Sequence, residues 1–161
     1  MILVSACLLG LCTRYDGGHS LSGEAWTLCR GKQVLALCPE ILGGLGVPRP
    51  PAHFSGAGFG REGRDVLEGR ARLLDSAGRD VSPAFVAGAR RAAGLAWLAG
   101  VGLALLKDRS PSCGWDPRGE NPQGGPGQGV LAALLARQGV HVQEIRARAW
   151  RPLAPAAPGR A

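Results

Sequence analysis

The chain has 161 residues, of which 45% are hydrophobic and 19% are charged, and its formal net charge is +7 at pH 7. This length is enough for one domain with a hydrophobic core, and the composition excludes a disordered protein. The positive charge suits an anionic partner such as a nucleotide or a nucleic acid, although a proteome rich in arginine would produce the same excess without any partner.

The five cysteines and the apolar segments exclude two further classes of protein. An odd number of cysteines without a secretory leader argues against a disulfide framework. The longest uncharged run, between Arg91 and Lys107, is interrupted by glycines and is shorter than the ~20 residues that a membrane span requires. We therefore expect a reduced, cytoplasmic protein that does not enter a membrane.

The first part of the chain predicts two buried strands separated by a short helix. Residues 2–6 and 33–38 are short apolar runs bounded by loops, as in the strands of a buried parallel sheet. A helix is predicted over 20–30, with Ser20 or Ser22 as its N-cap.

The middle of the chain predicts a hairpin and one long helix. The prolines and glycines of 39–51 exclude a long helix or a central strand. Residues 64–67 and 70–74 are predicted to pair as a small hairpin. A helix is then predicted over 83–99, with Ser82 as its N-cap and a proline at its first position.

The last part predicts two more strands around a second helix. Strands are predicted at about 101–107 and 140–144, with a long loop over 114–129 and a helix over 130–138. Glycines at the end of that loop precede the helix and could cradle a phosphate at its N-terminus, although neither a Walker lysine nor a GxGxxG pattern is present.

The order of these elements predicts the fold class. Strands that alternate with helices indicate a single compact α/β domain with a mostly parallel, doubly wound (Rossmann-like) sheet and a small hairpin excursion. We expect this domain to occupy residues 1–147 and residues 148–161, which are rich in proline and arginine, to form a flexible C-terminal tail.

Three cysteines follow the predicted strands. Cys7 and Cys38 come at the ends of the first two strands, and Cys113 lies six residues beyond the third. The carboxyl ends of parallel strands share one edge of the sheet, which is where such sheets bind ligands. A single free cysteine is usually a small buried hydrophobe, but three at one edge favour a soft-metal or iron–sulfur site with one open coordination position. Cys29 is expected in the core. Cys12 could be a fourth ligand, a resolving thiol or a spectator beside the site, and we expect the spectator.

Other polar residues are expected near the same edge. Glu40, close after Cys38, could act as a general base on water, and its alternative is an ordinary surface carboxylate or helix cap. Ser110 and Ser112 flank Cys113 and could bind substrate or relay a proton, or could simply form a turn.

Three charged residues of the strand-end loops are candidates for substrate binding. They are Arg14, Asp16 and Arg49. Arginine suits the recognition of planar acceptors or phosphate, although a solvated loop charge is the more common outcome for any one of them.

Several short motifs, in this order and spacing, resemble one family. They are CLLG at 7–10, RYDGG at 14–18, CPE at 38–40, GGL at 43–45, PRP at 48–50 and SPSCG at 110–114. The family is that of the thiouracil desulfidases, long catalogued as a domain of unknown function, and the resemblance covers about residues 2–145.

The resemblance implies a cofactor and catalytic residues. A [4Fe-4S] cluster would be held by three cysteines, Cys7, Cys38 and Cys113, and its fourth iron would be open to the sulfur of a thiolated uracil. Glu40 would be the catalytic glutamate, and Ser110, or its neighbour Ser112, the catalytic serine. Relatives often carry a cysteine where this chain has Thr13, one residue after Cys12, which weakens Cys12 as a ligand.

We therefore expect an iron–sulfur-dependent desulfidase that hydrolyses the C–S bond of a thiolated uracil without net electron transfer. The substrate would be the free base, a nucleotide or a thiouridine in tRNA. One alternative is a metal-binding or iron–sulfur-binding module without enzymatic activity. Another is a thiol redox enzyme that uses Cys7 and Cys12.

Overall fold

The computed structural model describes residues 1–116, 118 and 127–146. The strands are β1 (Ile2–Ser5), β2 (Val34–Leu37), β3 (Ala52–Ser55), β4 (Arg72–Asp75), β5 (Leu103–Lys107) and β6 (His141–Ile145). The α-helices are α1 (Gly23–Cys29), α2 (Pro39–Leu42), α3 (Glu62–Leu67), α4 (Ser82–Leu98) and α5 (Val130–Arg137), and a 3-10 turn spans Ala6–Leu9. The tail predicted for 148–161 lies outside the described residues, so the division of the chain at 147 stays a prediction.

Four strands form a parallel sheet in the order β2-β1-β5-β6, and β3 and β4 form a separate antiparallel pair. The predicted α/β fold with a small hairpin is therefore confirmed. Because β1, β2 and β5 run in the same direction, the loops that follow them leave the same edge of the sheet. These loops carry the residues that the sequence singles out.

The side chains of each strand alternate between the two faces of the sheet. Both faces therefore carry apolar residues, and helices cover both of them. Leu3 and Leu106 join the larger core, to which α3, α4 and α5 contribute. Val4 and Leu105 join the smaller core, where Ala25 of α1 is also buried. This division is the doubly wound arrangement that the sequence predicts.

One of the two predicted hairpin strands is confirmed, since β4 overlaps the predicted 70–74, but its partner is β3 and not 64–67. Residues 64–67 belong to helix α3, and β4 pairs with β3, where Leu73 lies opposite Phe54. The buried residues of α3 are spaced as on one side of a helix and do not alternate as in a strand; they are Glu62, Gly63, Asp65 and Val66. A Cβ atom on Gly63 would lie 2.8 Å from the amide nitrogen of Val130, so this glycine lets α3 pack closely against α5.

Helices α1 and α4 begin three residues after and one residue before their predicted starts at 20 and 83. Ser22 is the N-cap of α1, and its hydroxyl accepts a hydrogen bond from the Ala25 amide at 3.3 Å. Helix α4 begins at Ser82, but the predicted cap is wrong, since the Ser82 hydroxyl accepts from the Leu73 amide at 2.8 Å. The Ser82 hydroxyl therefore connects α4 to β4, and the first amide of α4, that of Ser82, donates to Oδ1 of Asp80 at 2.9 Å.

The sequence predicts a phosphate cradle in the loop before α5. For residues 127–129, the part of that loop which the structure describes, this prediction is wrong. The amides of Val130 and Leu131 donate to the carbonyls of Pro111 and Ser112 at 2.9 Å. The amides of Gly127 and Gln128 donate to the carboxylate of Glu62 at 3.1 Å. The protein's own acceptors therefore take the positions that a phosphate would occupy.

Among the described residues, no helix combines the length and the apolar character that a membrane span requires.

Candidate active site

A cavity of about 380 Å³ lies at the carboxyl edge of the parallel sheet. Its walls come mainly from the loops after β1, β2 and β5. Three thiols line it, those of Cys7, Cys38 and Cys113. The structure thus brings together the three cysteines that are distant in sequence, whereas Cys29 packs against the smaller core.

Each of these cysteines is held by local structure. Cys7 lies in the 3-10 turn that follows β1, and Gly10 ends that turn with φ +95°, a left-handed conformation that glycine adopts without strain. Cys38 is the N-cap residue of α2, with a proline at the first helical position. The amide of Cys113 donates to the Ser110 hydroxyl at 3.2 Å.

Burial, with repulsion from neighbouring thiols, makes the thiols of Cys7 and Cys113 hard to ionise. Burial, followed by the charge of Cys38, raises the pKa of Cys7 to about 11, while Lys107 and Arg14 oppose the shift. Burial also raises the pKa of Cys113 above its ordinary value, against a hydrogen bond with Ser5. A reactive thiol has a lowered pKa. The environments of Cys7 and Cys113 therefore suit thiols that lose their protons only when they bind a metal. They do not suit the reactive thiolate that the redox alternative requires at Cys7.

The donor set suits a cluster better than one ion. Within residues 1–116, 118 and 127–146, no three His, Cys, Asp or Glu side chains converge as they would around a single metal ion. The ligands of a cluster bind separate iron atoms and so need not converge on one point. Thiolates are also the usual ligands of iron–sulfur clusters.

Glu40 is the carboxylate nearest in sequence to the cysteines, and it too lines the cavity. Its Oε1 accepts a hydrogen bond from the Ser112 hydroxyl at 3.1 Å. Its Oε2 accepts from Nε of Arg49 at 2.8 Å and lies 2.7 Å from Nη2 of Arg49. An ionised carboxylate oxygen has two lone pairs, so Oε1 keeps one for a ligand or a water.

Arg49 is bound on all sides by the protein itself. Besides Glu40, its guanidinium donates to the carbonyls of Gly46 and Thr13, both at 3.1 Å. Only 8% of its side chain is exposed. Arg49 also lines the cavity, so the predicted substrate-binding arginine lies at the site, where its guanidinium links Glu40 to the carbonyl of Thr13.

The structure separates the two serines that the sequence leaves equivalent. Ser110 lines the cavity, and its hydroxyl oxygen accepts from the amides of Ser112 and Cys113 at 3.2 Å. Ser112 is 2% exposed and is not among the described residues of the cavity wall. Ser110 can therefore donate its hydroxyl proton to a ligand, while Ser112 orients Glu40.

Arg14 and Asp16 form an ion pair at the rim. Nε and Nη2 of Arg14 lie 3.1 Å and 2.8 Å from the two carboxylate oxygens of Asp16. The hydrogen bonds from Arg14 are the main reason that the pKa of Asp16 is lowered to about 2. Arg14 lines the cavity, but Asp16 and Cys12 are exposed and are not found among the described lining residues.

Sequence reasoning missed further residues of the cavity. Lys107 and Asp108 line it, their side chains are almost buried, and they form an ion pair with each other. Lys107 is the last residue of β5 and Asp108 follows it, so their position at the carboxyl edge of the sheet is the signal by which the sequence could have identified them. The hydroxyl of Thr13 is buried without a hydrogen-bond partner in the described structure, on the same wall.

Comparison with known proteins is consistent with this geometry. YbbK of Bacillus subtilis (strain 168), a protein named as uncharacterized, is 38% identical over 145 residues, which are 88% of this chain and 93% of YbbK. The solved structure of the [4Fe-4S]-dependent thiouracil desulfidase TudS is 38% identical in sequence and matches with a TM-score of 0.70 over 89% of each chain. The model of the 2-thiouracil desulfurase family matches residues 2–146. The chain therefore belongs to the 2-thiouracil desulfurase family.

Proposed function

We propose that this protein is an iron–sulfur-dependent desulfidase that replaces the sulfur of a thiolated uracil by oxygen through hydrolysis. The observation that carries the proposal is the meeting of three thiols and a positioned carboxylate in one cavity. The name of TudS, a relative that is 38% identical, supports the same activity and cofactor.

Cys7, Cys38 and Cys113 are the proposed ligands of a [4Fe-4S] cluster with one open iron. The raised pKa values of Cys7 and Cys113 are compatible with this role, because a thiol ligand loses its proton when it binds the metal. The chemistry that such a cluster supplies is that of a soft Lewis acid with affinity for sulfur.

Glu40 is the proposed general base. Arg49 fixes Oε2 and the Ser112 hydroxyl orients Oε1, so that the free lone pair of Oε1 has a defined direction. A water hydrogen-bonded there would transfer a proton to Oε1 as its oxygen attacks the thiocarbonyl carbon. The two amides that bind the Ser110 oxygen leave its O–H free to donate to the ring or to the departing sulfur.

The reaction needs no oxidant or reductant. The ring carbon loses its bond to sulfur and gains a bond to the oxygen of water. The electron pair of the C–S bond leaves with sulfur, which departs as hydrosulfide. The products are therefore uracil, free or within its nucleotide, and one hydrosulfide.

Purification without oxygen tests the proposal directly. The protein should contain iron and sulfide, absorb as an iron–sulfur protein, and convert 2-thiouracil or 4-thiouracil to uracil. Cys7→Ala, Cys38→Ala and Cys113→Ala should each abolish the chromophore and turnover, while Cys12→Ser and Cys29→Ala serve as controls that keep both. A chromophore without turnover of any thiouracil would instead favour the binding module.

The form of the substrate is a separate proposal. The net charge of +7 suits a thiolated nucleotide or tRNA better than a free base. Neutralising several phosphates makes affinity fall steeply with salt. We would compare kcat/KM for 4-thiouracil, 4-thiouridine monophosphate and thiolated tRNA at two salt concentrations. If kcat/KM for the free base equals that for the nucleotide and the tRNA, and if none of the values responds to salt, the basic surface plays no part in substrate choice.

A further inference from the structure

Tyr15 is an exposed aromatic residue on the cavity wall that the mechanism above does not use. It is 44% exposed, whereas Phe85, the other aromatic side chain among the described lining residues, is 3% exposed and belongs to the larger core. Single exposed aromatic side chains are common on protein surfaces. The exposure of Tyr15 alone therefore does not indicate a binding role. The evidence for such a role lies in the contacts that hold its backbone and its ring.

The backbone of Tyr15 is fixed by hydrogen bonds. Its carbonyl accepts from the Arg49 amide at 2.8 Å, and the loop around it is closed by the Arg14 amide, which donates to the Gly18 carbonyl at 3.2 Å. Gly17 has φ +80°, which permits this tight turn. The Tyr15 ring is thus held at the cavity by a fixed loop and not by packing in the core.

The residues on either side of Tyr15 hold a cation against its ring. Cζ of Arg14 lies over the ring, 5.7 Å from its centroid, within the range of a cation–π contact. Asp16 binds Nε and Nη2 of Arg14, and the Ser20 hydroxyl accepts from Nη1 at 2.8 Å. The guanidinium therefore supports the ring, since all three of its nitrogens are already bound to the protein.

We propose that Tyr15 is the surface on which the pyrimidine ring of the ligand stacks, with Arg14 and Asp16 as positioning residues. This inference rests on the proposed function, because it takes the ligand to be a planar heteroaromatic ring. Loss of one aromatic stacking partner weakens nucleobase binding by roughly 5-fold to 150-fold. The effect should appear in KM and in the affinity for the product, and much less in kcat.

The chain contains a single tyrosine, which gives this proposal a direct readout. Protein labelled with 3-fluorotyrosine and isolated without oxygen should show one ¹⁹F resonance in its folded state. Titration with uracil, which cannot react, should move that resonance in a saturable way. A resonance that stays unmoved while calorimetry detects uracil binding would overturn the proposal.

Two substitutions separate stacking from a structural role. Tyr15→Phe keeps the ring and should bind uracil within about twofold of the wild type, whereas Tyr15→Leu keeps apolar bulk and should bind at least about fivefold more weakly. Asp16→Asn should fall between them, because it loosens Arg14. Equal affinity in Tyr15→Phe and Tyr15→Leu would show that the ring does not stack.

The outcomes also separate this proposal from the proposed function. If the wild-type protein converts thiouracil while neither the resonance nor the Tyr15→Leu affinity changes, stacking is overturned and the desulfidase stands. If the wild-type protein neither converts thiouracil nor binds uracil, both proposals fail. If uracil binds and moves the resonance but no thiouracil is converted, stacking stands and desulfidation fails.

Discussion

At the scale of residues, the cavity is organised around Glu40. Its two oxygens have different partners, a neutral hydroxyl on Oε1 and a guanidinium on Oε2. Arg49 and Ser112 reach it from segments 9 and 72 residues away in sequence. The direction in which this carboxylate can accept a proton is thus set by residues that need not touch the ligand.

Replacing Glu40 by glutamine tests the general base. Glu40→Gln should keep the iron–sulfur chromophore and lose about 10²-fold to 10⁴-fold in kcat, since an amide cannot take a proton from water. Ser112→Ala keeps the carboxylate and should lose less, roughly 10-fold to 100-fold, the effect of one hydrogen bond to a charged group. Steady-state assays with 4-thiouracil measure both. Full activity in Glu40→Gln would remove this residue from the mechanism.

Replacing Arg49 by lysine separates positioning from substrate binding. Lysine cannot bind the carboxylate of Glu40 and the carbonyls of Thr13 and Gly46 together, because it lacks the planar fork of donors. We expect kcat to fall by up to about 10²-fold through a misplaced base, with unchanged affinity for uracil. The opposite pattern, weaker binding at constant kcat, would show that Arg49 contacts the substrate.

At the scale of elements, the site depends on close contact between α2 and α4. Helix α2 is one turn long and carries Glu40 two residues after Cys38. Gly88 of α4 faces it, and a Cβ atom on Gly88 would overlap the Pro39 carbonyl oxygen and lie 2.8 Å from the Gly43 amide nitrogen. The absence of a side chain at 88 therefore sets where α2 lies.

Substituting alanine for two glycines of α4 gives a matched pair. Gly88→Ala should lower the free energy of unfolding by about 1–3 kcal/mol and reduce turnover, because the overlap must displace α2. Gly94→Ala should raise that free energy by up to about 1 kcal/mol, since the space around Gly94 is open and alanine favours helix. Urea unfolding followed by circular dichroism measures both. A neutral Gly88→Ala would show that α2 can shift at no cost.

At the scale of the whole molecule, acidic side chains are tied to backbone amides and arginines across the surface. Several carboxylates have a pKa below the ordinary value for this reason: Asp16, Asp65, Glu68, Asp75 and Asp80. Glu144 is an exception, because its burial raises its pKa. At acid pH, where these groups titrate, the folded chain therefore holds fewer protons than the unfolded chain.

Stability should consequently fall in acid. Groups whose pKa is lowered by folding stabilise the protein above their unfolded values of 3.8 and 4.5, and this contribution is lost as the pH drops through the folded values. Urea midpoints at pH 7, 5 and 3.5 should change little in the first step and decrease in the second. Asp75→Asn should have a shallower decrease, because it removes the carboxylate that binds the Ala77 and Arg79 amides. A midpoint that rises towards pH 3.5 would contradict this account.

The sequence by itself determined the parallel sheet, the starts of α1 and α4, and the shared edge that collects three cysteines. These follow from local patterns, because apolar runs, caps and strand direction are encoded within a few neighbouring residues. The tertiary structure alone decided that β4 pairs with β3, that Arg49 binds Glu40, and that Ser110 and Ser112 have different surroundings. Each of these depends on a partner distant in sequence, and no local pattern specifies which distant group will satisfy a given donor or acceptor once the chain has folded.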